Sequence, residues 1–199
     1  MRFGISTHLY HDRRLDRSHL TQIAGYGFET IELFATRSHF DYRSEAAVAE
    51  LGRWLTDTGL TLNSVHAPIM DVFGGVGPRT TYSNAVTANE RREAAVRETE
   101  AALGIARTIP FDLMVVHLGT PAKMKNADDN HRAAAVRSLD EICRMAERLG
   151  VRVAVEVIPN RLSDPASLVA MLDDELDAGR PGICLDFGHA HLMGDVADA

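Results

Sequence analysis

Residues that can hold a metal or move a proton recur at one kind of place in this chain, the end of a short apolar run. They are His8, Glu32, His66, His117, Glu156, and Asp186 with His189. Taken singly, a histidine is usually hydrogen-bonded and structural. Six consecutive runs ending in this way are a pattern rather than a scatter of residues. Two buried carboxylates side by side cannot both stay ionised unless a proton or a cation lies between them. Glu, Asp and several His around one opening form an N/O donor set suited to a single divalent ion such as Zn²⁺, Mn²⁺, Co²⁺ or Mg²⁺. A polar network without metal is the competing reading. Softer donors are not expected, because Cys143 and Cys184 stand in no Cys-x-x-Cys pair and read as small buried apolar residues.

For these side chains to meet, the elements carrying them must be parallel and adjacent. The apolar runs read as strands over 3–7, 30–34, 60–66, 113–117, 152–158 and 182–187. Amphipathic stripes separate them. Val48, Leu51 and Leu55 repeat at helical spacing before Gly59. Val96, Thr99, Leu103 and Ala106 form a second stripe, weakened by Gly104, and Val136, Leu139, Cys143 and Ala146 form a third before Gly150. Asp164-Pro165 reads as an N-cap with proline at the first helical position, ahead of Leu168, Leu172 and Leu176. Strict strand–helix alternation predicts an α/β fold with a parallel sheet and outer helices. It is either an open doubly wound sheet or part of a (β/α)8 barrel, and in both the site lies at the C-terminal strand ends.

Parity sharpens the placement, since strand side chains alternate faces. Val153, Val155 and Val157 share one face, leaving Ala154 and Glu156 on the other. Ile183, Leu185 and Phe187 oppose Cys184, Asp186 and Gly188. Bulky apolar residues suit the helix side, so Glu156 and Asp186 are expected to point inward from neighbouring strands. His66, His117 and Glu32 converge on the same mouth. His8 is the weakest member and could serve only to cap the first loop.

Composition narrows the function classes. The 199 residues carry a net charge of −7, with 45% hydrophobic and 25% charged residues. That acidity disfavours a nucleic acid as the main partner. No run of 18 apolar residues suggests a membrane span. The N-terminus lacks a signal-peptide pattern and the cysteines are not clustered, so a cytoplasmic protein is expected. Neither G-x-G-x-x-G nor G-x-x-x-x-G-K-[ST] is present, and Gly74-Gly75-Val76-Gly77 reads as a mobile loop.

Several stretches together resemble the xylose-isomerase-like TIM-barrel superfamily. They are Arg2-Phe3-Gly4-Ile5-Ser6-Thr7, Thr30-Ile31-Glu32-Leu33-Phe34, Ser64-Val65-His66-Ala67-Pro68, Val115-Val116-His117-Leu118-Gly119, Val155-Glu156-Val157 and Leu185-Asp186-Phe187-Gly188-His189. The resemblance implies a metal-dependent sugar or sugar-phosphate isomerase or epimerase working by proton transfer through an enediolate. It makes Glu156 a metal ligand and acid/base carboxylate, and Asp186 a metal ligand. His189 becomes a ligand or a substrate contact, and Glu32, His66 and His117 line the substrate pocket. The superfamily also holds zinc-dependent apurinic endonucleases, in which positions like His66, His117 and His189 take extra zinc. A non-catalytic sugar-binding domain is the third alternative. Members have eight strands, and counterparts of a seventh-strand histidine and an eighth-strand glutamate are missing here. Residues 1–199 are therefore expected to be one incomplete barrel domain. It would be either a fragment of a longer protein, the preferred reading, or a chain whose pocket is completed in a homo-oligomer.

Overall fold

The computed structural model describes residues 3–73, 79–123, 129–177 and 179–194. Met1 and Arg2 lie outside these residues, as do Gly74, Gly75, Val76 and Gly77. Six strands, β1 (Gly4–Ser6), β2 (Thr30–Phe34), β3 (Thr61–His66), β4 (Leu113–Val116), β5 (Arg152–Glu156) and β6 (Gly182–Cys184), pair in chain order in one sheet. Every pairing is parallel. Between them run helices α1 (Arg17–Gly25), α2 (Glu45–Thr58), α3 (Asn89–Leu103), α4 (Arg132–Glu147) and α5 (Pro165–Asp174), and α6 (Phe187–Met193) follows β6. Sheet order and chain order coincide because each crossover returns to the same edge, as in a (β/α)8-type barrel.

Local sequence explains the helix ends. Asp16 caps α1 by accepting the Ser18 and His19 backbone N–H groups, and the His19 ring reaches back to the Asp16 N–H at 3.2 Å. Asp16→Ala removes a partner from two orphan donors. A loss of about 1 kcal/mol of stability is expected, read as a lower urea midpoint with an unchanged slope. An unchanged midpoint would show that water replaces the cap at no cost. Asp164 caps α5 with proline following. Gly59 closes α2 at a φ of +71°, a conformation costly for any residue with a Cβ. Gly104 ends α3, and the chain tightens into a 3-10 turn over Gly104–Arg107.

The core lies between the sheet and the helices, where parity placed it. Ile31, Leu33, Val65, Met114, Val116, Val153 and Val155 are all buried. They pack on the α2 stripe of Val48, Leu51 and Leu55 and on Leu139, Cys143 and Ala146 of α4. At the sheet's end the expectation fails. Ile183 and Leu185 are each 40% exposed and Phe187 is 65% exposed. The sixth strand also stops at Cys184, short of the expected Phe187. Asp186 gives the reason, since its carboxylate accepts the His189 N–H at 2.7 Å and starts α6. An aspartate at a helix N-terminus meets unsatisfied donors and a favourable dipole that a strand would not offer. Asp186 therefore lies just past the end of β6, as a helix cap at the sheet's mouth rather than a residue of the strand itself. Leu176 likewise lies beyond the end of α5.

Candidate metal centre

Glu156 ends β5 and is 7% exposed. Its Oε2 lies 3.2 Å from His66 Nε2 and 3.1 Å from His117 Nε2, and those two nitrogens are 3.2 Å apart. Its Oε1 lies 3.1 Å from His189 Nδ1, which is 3.8 Å from Asp186 Oδ2. Glu156 thus belongs to two donor groups, one with His66 and His117, the other with Asp186 and His189. In each, the donor atoms fall within 4.8 Å of one another.

The strands produce this arrangement. Val116 pairs with Val155, so His117 and Glu156 follow at the same level on the same face. His66 ends β3 beside Val115 of β4. Its Nδ1 faces the Ala67 carbonyl at 2.9 Å. With the proton on that nitrogen, the Nε2 lone pair points to the centre, as a metal-binding imidazole requires. Glu32 pairs with Ser64, two positions below the Phe34–His66 level, and accepts the Ser64 hydroxyl at 3.2 Å. It sits deeper in the lumen, in neither donor group, and adds negative charge near His66.

Electrostatics reflect the crowding. Burial alone would raise the Glu156 carboxyl, but hydrogen bonds from His117 and His66 outweigh it and hold the group well below the usual carboxylate range. Burial opposes a charge on His66, yet Glu156 and Glu32 reverse the balance and raise it. His117 is lowered, because its burial exceeds the help from Glu156. Cys184 is not a fully buried core residue. It pairs with Glu156 in the sheet and is half-buried. Burial, reinforced by Glu156, Glu32 and Asp186, pushes its thiol up to about 11. Cys143 is buried, as expected.

The donor set fits a small divalent cation. Ligand bonds of about 2.0–2.1 Å in a tetrahedron imply donor–donor edges of roughly 3.3 Å. The three edges of the His66–His117–Glu156 triangle come within about 0.2 Å of that spacing. Sequence placed the metal with Glu156, Asp186 and His189 and gave His66 and His117 to substrate. The structure makes the two histidines at least as well placed for an ion. His8 does not cap the first loop. Ser6 does, accepting the His8 N–H at 3.2 Å, while the His8 ring packs against His11, Phe34 and Phe73. His11 and Phe73 complete this ring cluster. The i, i+3 spacing of His8 and His11 was available as a signal, whereas nothing local announces Phe73.

Among the described residues, no helix is long and apolar enough to cross a membrane. Over its full length the chain is 28% identical to the uncharacterised protein MJ1311 of Methanocaldococcus jannaschii, and it spans 64% of that protein. Its fold matches a D-tagatose 3-epimerase-like protein with a TM-score of 0.76 and 25% identity, covering 100% of this chain and 69% of that one. It also matches the IOLI protein, solved with a bound zinc atom, with a TM-score of 0.73 and 15% identity, covering 98% and 66%. Residues 20–199 match the family model described as xylose isomerase-like TIM barrel. Family match, parallel sheet and solved neighbours agree, and the chain belongs to the xylose isomerase-like TIM-barrel family.

Proposed function

We propose that this protein is a metal-dependent sugar isomerase or epimerase that moves a proton next to a carbonyl. The observation that supports this most is Glu156, one buried carboxylate shared by two donor groups at the C-terminal mouth of a parallel sheet. The likeness to a D-tagatose 3-epimerase-like protein points the same way. Glu156, Asp186 and His189 would hold the ion, with His66 and His117 beside them. When bound, a divalent ion polarises a carbonyl and stabilises the negative charge that develops on losing a neighbouring proton. Glu156 accepts the carbon-bound proton at a carboxylate oxygen; in an isomerisation it returns it to the neighbouring carbon of the enediolate, and in an epimerisation a second carboxylate, like the family's eighth-strand glutamate, would protonate the opposite face. Nε2 of His66 and of His117 face substrate hydroxyls when they do not face the ion, and Glu32 fixes the charge of His66 from below. The raised Cys184 thiol stays neutral and donates no competing base.

The test uses the whole protein, stripped with a chelator and reloaded with Mn²⁺, Co²⁺, Mg²⁺ or Zn²⁺. Incubated with D-tagatose in D₂O, a loaded form is expected to place deuterium on the carbon beside the carbonyl. The stripped form is expected to place none. Absence of exchange from a panel of ketoses and aldoses in all four loaded forms would refute the reading.

A zinc-dependent phosphodiesterase acting at abasic sites is the second reading. It is favoured by the His66–His117–Glu156 triangle, whose two nitrogens and near-tetrahedral edges suit zinc. The net charge of −7 opposes it. Three zinc ions per whole chain, with cleavage of an abasic duplex, would select it over sugar chemistry.

A further inference from the structure

We infer that Asn84 is a positioning residue of the metal centre, a buried amide that aims His117 through the His117 backbone carbonyl. This rests on the metal reading above and deepens it, by naming what holds the one donor of the triangle that no strand carries.

The three donors are not held alike. His66 is the last residue of β3 and Glu156 the last of β5, so pairing with β4 and β6 fixes their backbones. β4 ends at Val116, and His117 is the first residue beyond it. The rings differ as well. His66 Nδ1 faces the Ala67 carbonyl at 2.9 Å, and His189 Nδ1 faces the Val157 carbonyl at 3.1 Å. Among the described residues, His117 Nδ1 meets no such carbonyl, although its Nε2 lies 3.1 Å from Glu156 Oε2 and 3.2 Å from His66 Nε2. A ring pinned at only one nitrogen keeps its aim when the backbone that carries it is fixed.

Asn84 supplies that hold. It is 5% exposed, and its Nδ2 donates to the His117 carbonyl at 3.2 Å. Turning the amide over would set two acceptor oxygens against each other, so the hydrogen bond fixes its orientation. The segment around Asn84 is clamped to the loop after β4 on both sides. Ser83 Oγ donates to the Asp129 carbonyl at 2.8 Å, and the His131 N–H donates to the Ala85 carbonyl at 2.8 Å. Tyr82 donates its hydroxyl to Glu98 of α3 at 3.3 Å. Asn84 therefore stands on a braced support and reaches across to the histidine.

Energetics separate this role from a structural one. Asn84 Oδ1 is buried and accepts no hydrogen bond from the described residues. A buried acceptor without a donor lowers stability. Asn160, in the loop after β5, is the contrast. Its Nδ2 donates to the Leu118 and Thr120 carbonyls, and its Oδ1 accepts the Leu162 and Ser163 N–H groups. Asn160 uses both ends of its amide, as a residue that stabilises a loop does. For the fold alone, an apolar side chain of similar shape would serve as well as Asn84. It could not hold the His117 carbonyl.

The test compares Asn84→Leu and His117→Ala with the wild type, each as the whole protein. Dye competition measures zinc affinity, visible absorption of the cobalt-loaded form reports donor geometry, and urea denaturation of the metal-free form reports the fold. In Asn84→Leu, zinc affinity is expected to fall roughly 10–100-fold, as for other residues that orient a metal ligand. Its cobalt bands should shift, while the urea midpoint stays at or above the wild-type value. His117→Ala sets the scale and should lose at least as much affinity. Should Asn84→Leu not fold, Asn84→Asp keeps the side-chain shape without the donor and is judged on the same zinc and cobalt readings. Wild-type zinc affinity and cobalt bands in the folded variant, with His117→Ala weakened, overturn the proposal. So does a lowered urea midpoint with wild-type cobalt bands, which makes Asn84 merely structural. If His117→Ala itself binds zinc like the wild type, the triangle reading falls and takes this one with it.

Discussion

Glu156→Gln is expected to abolish tight binding of a divalent ion while leaving the chain folded. Glutamine keeps the shape of the side chain. It loses the charge that His66 and His117 face at 3.2 and 3.1 Å. Removing an outer partner of a metal ligand typically costs 10–100-fold in affinity, so losing the carboxylate shared by both donor groups should cost more than about 100-fold. Competition against a zinc-binding dye measures this, and circular dichroism checks the fold. Any turnover supported by the centre should vanish with the ion. Acid stability offers an independent reading in the metal-free protein. A carboxyl whose folded pKa lies below its unfolded value stabilises the fold above the ordinary carboxylate range. That gain is lost as pH falls through the folded value. Wild type should therefore lose stability on acidification below about pH 4, and the glutamine variant should lose less. A variant that binds zinc like the wild type would remove Glu156 from the centre.

Among the described loop glycines, Gly119→Ala should be the most damaging single methyl group. Gly119 has a φ of +75°, and a Cβ there would fall on the Asn130 side-chain oxygen, with the Asp129 carbonyl 3.1 Å away. Asn130 is the brace of this loop. It accepts the Thr120 N–H at 2.8 Å and donates to the Thr120 carbonyl at 3.1 Å. Left-handed strain in a residue with a Cβ costs of order 1–3 kcal/mol, and losing the one bond made by the clashing Asn130 oxygen about 1 kcal/mol more. A loss of roughly 2–4 kcal/mol follows, a large part of the 5–15 kcal/mol that holds a typical domain. Because His117 is two residues away, zinc affinity should fall as well. Urea denaturation and zinc titration measure the two effects separately. Wild-type values for both would show that the loop has room to shift and does not position His117.

Much of the fold is legible in the chain because its signals are local. Alternation along Val153–Glu156 and the Val48–Leu51–Leu55 stripe each record which face is buried, and burial follows from side-chain chemistry alone. Asp164-Pro165 and Gly59 carry their own backbone preferences. The convergence of Glu156, His66 and His117 was legible for the same reason, since all three close parallel runs. The end of β6 was not. Asp186 continues the alternation perfectly, but a helix N-terminus competes for it and wins, because His189 N–H offers a bond the strand edge lacks.

The amino-acid sequence by itself determined the alternating α/β architecture, the sheet face that meets the helices and the polar residues at the strand ends. These depend on side-chain character and spacing along a few residues. Only the tertiary structure decided that His66, His117 and Glu156 form a triangle with edges near 3.2 Å, that Glu32 lies below it, and that Phe73 reaches the His8–His11 pair. Those distances depend on strand register and on a loop arm crossing between elements. Residues far apart in the chain set both, and no local period records them.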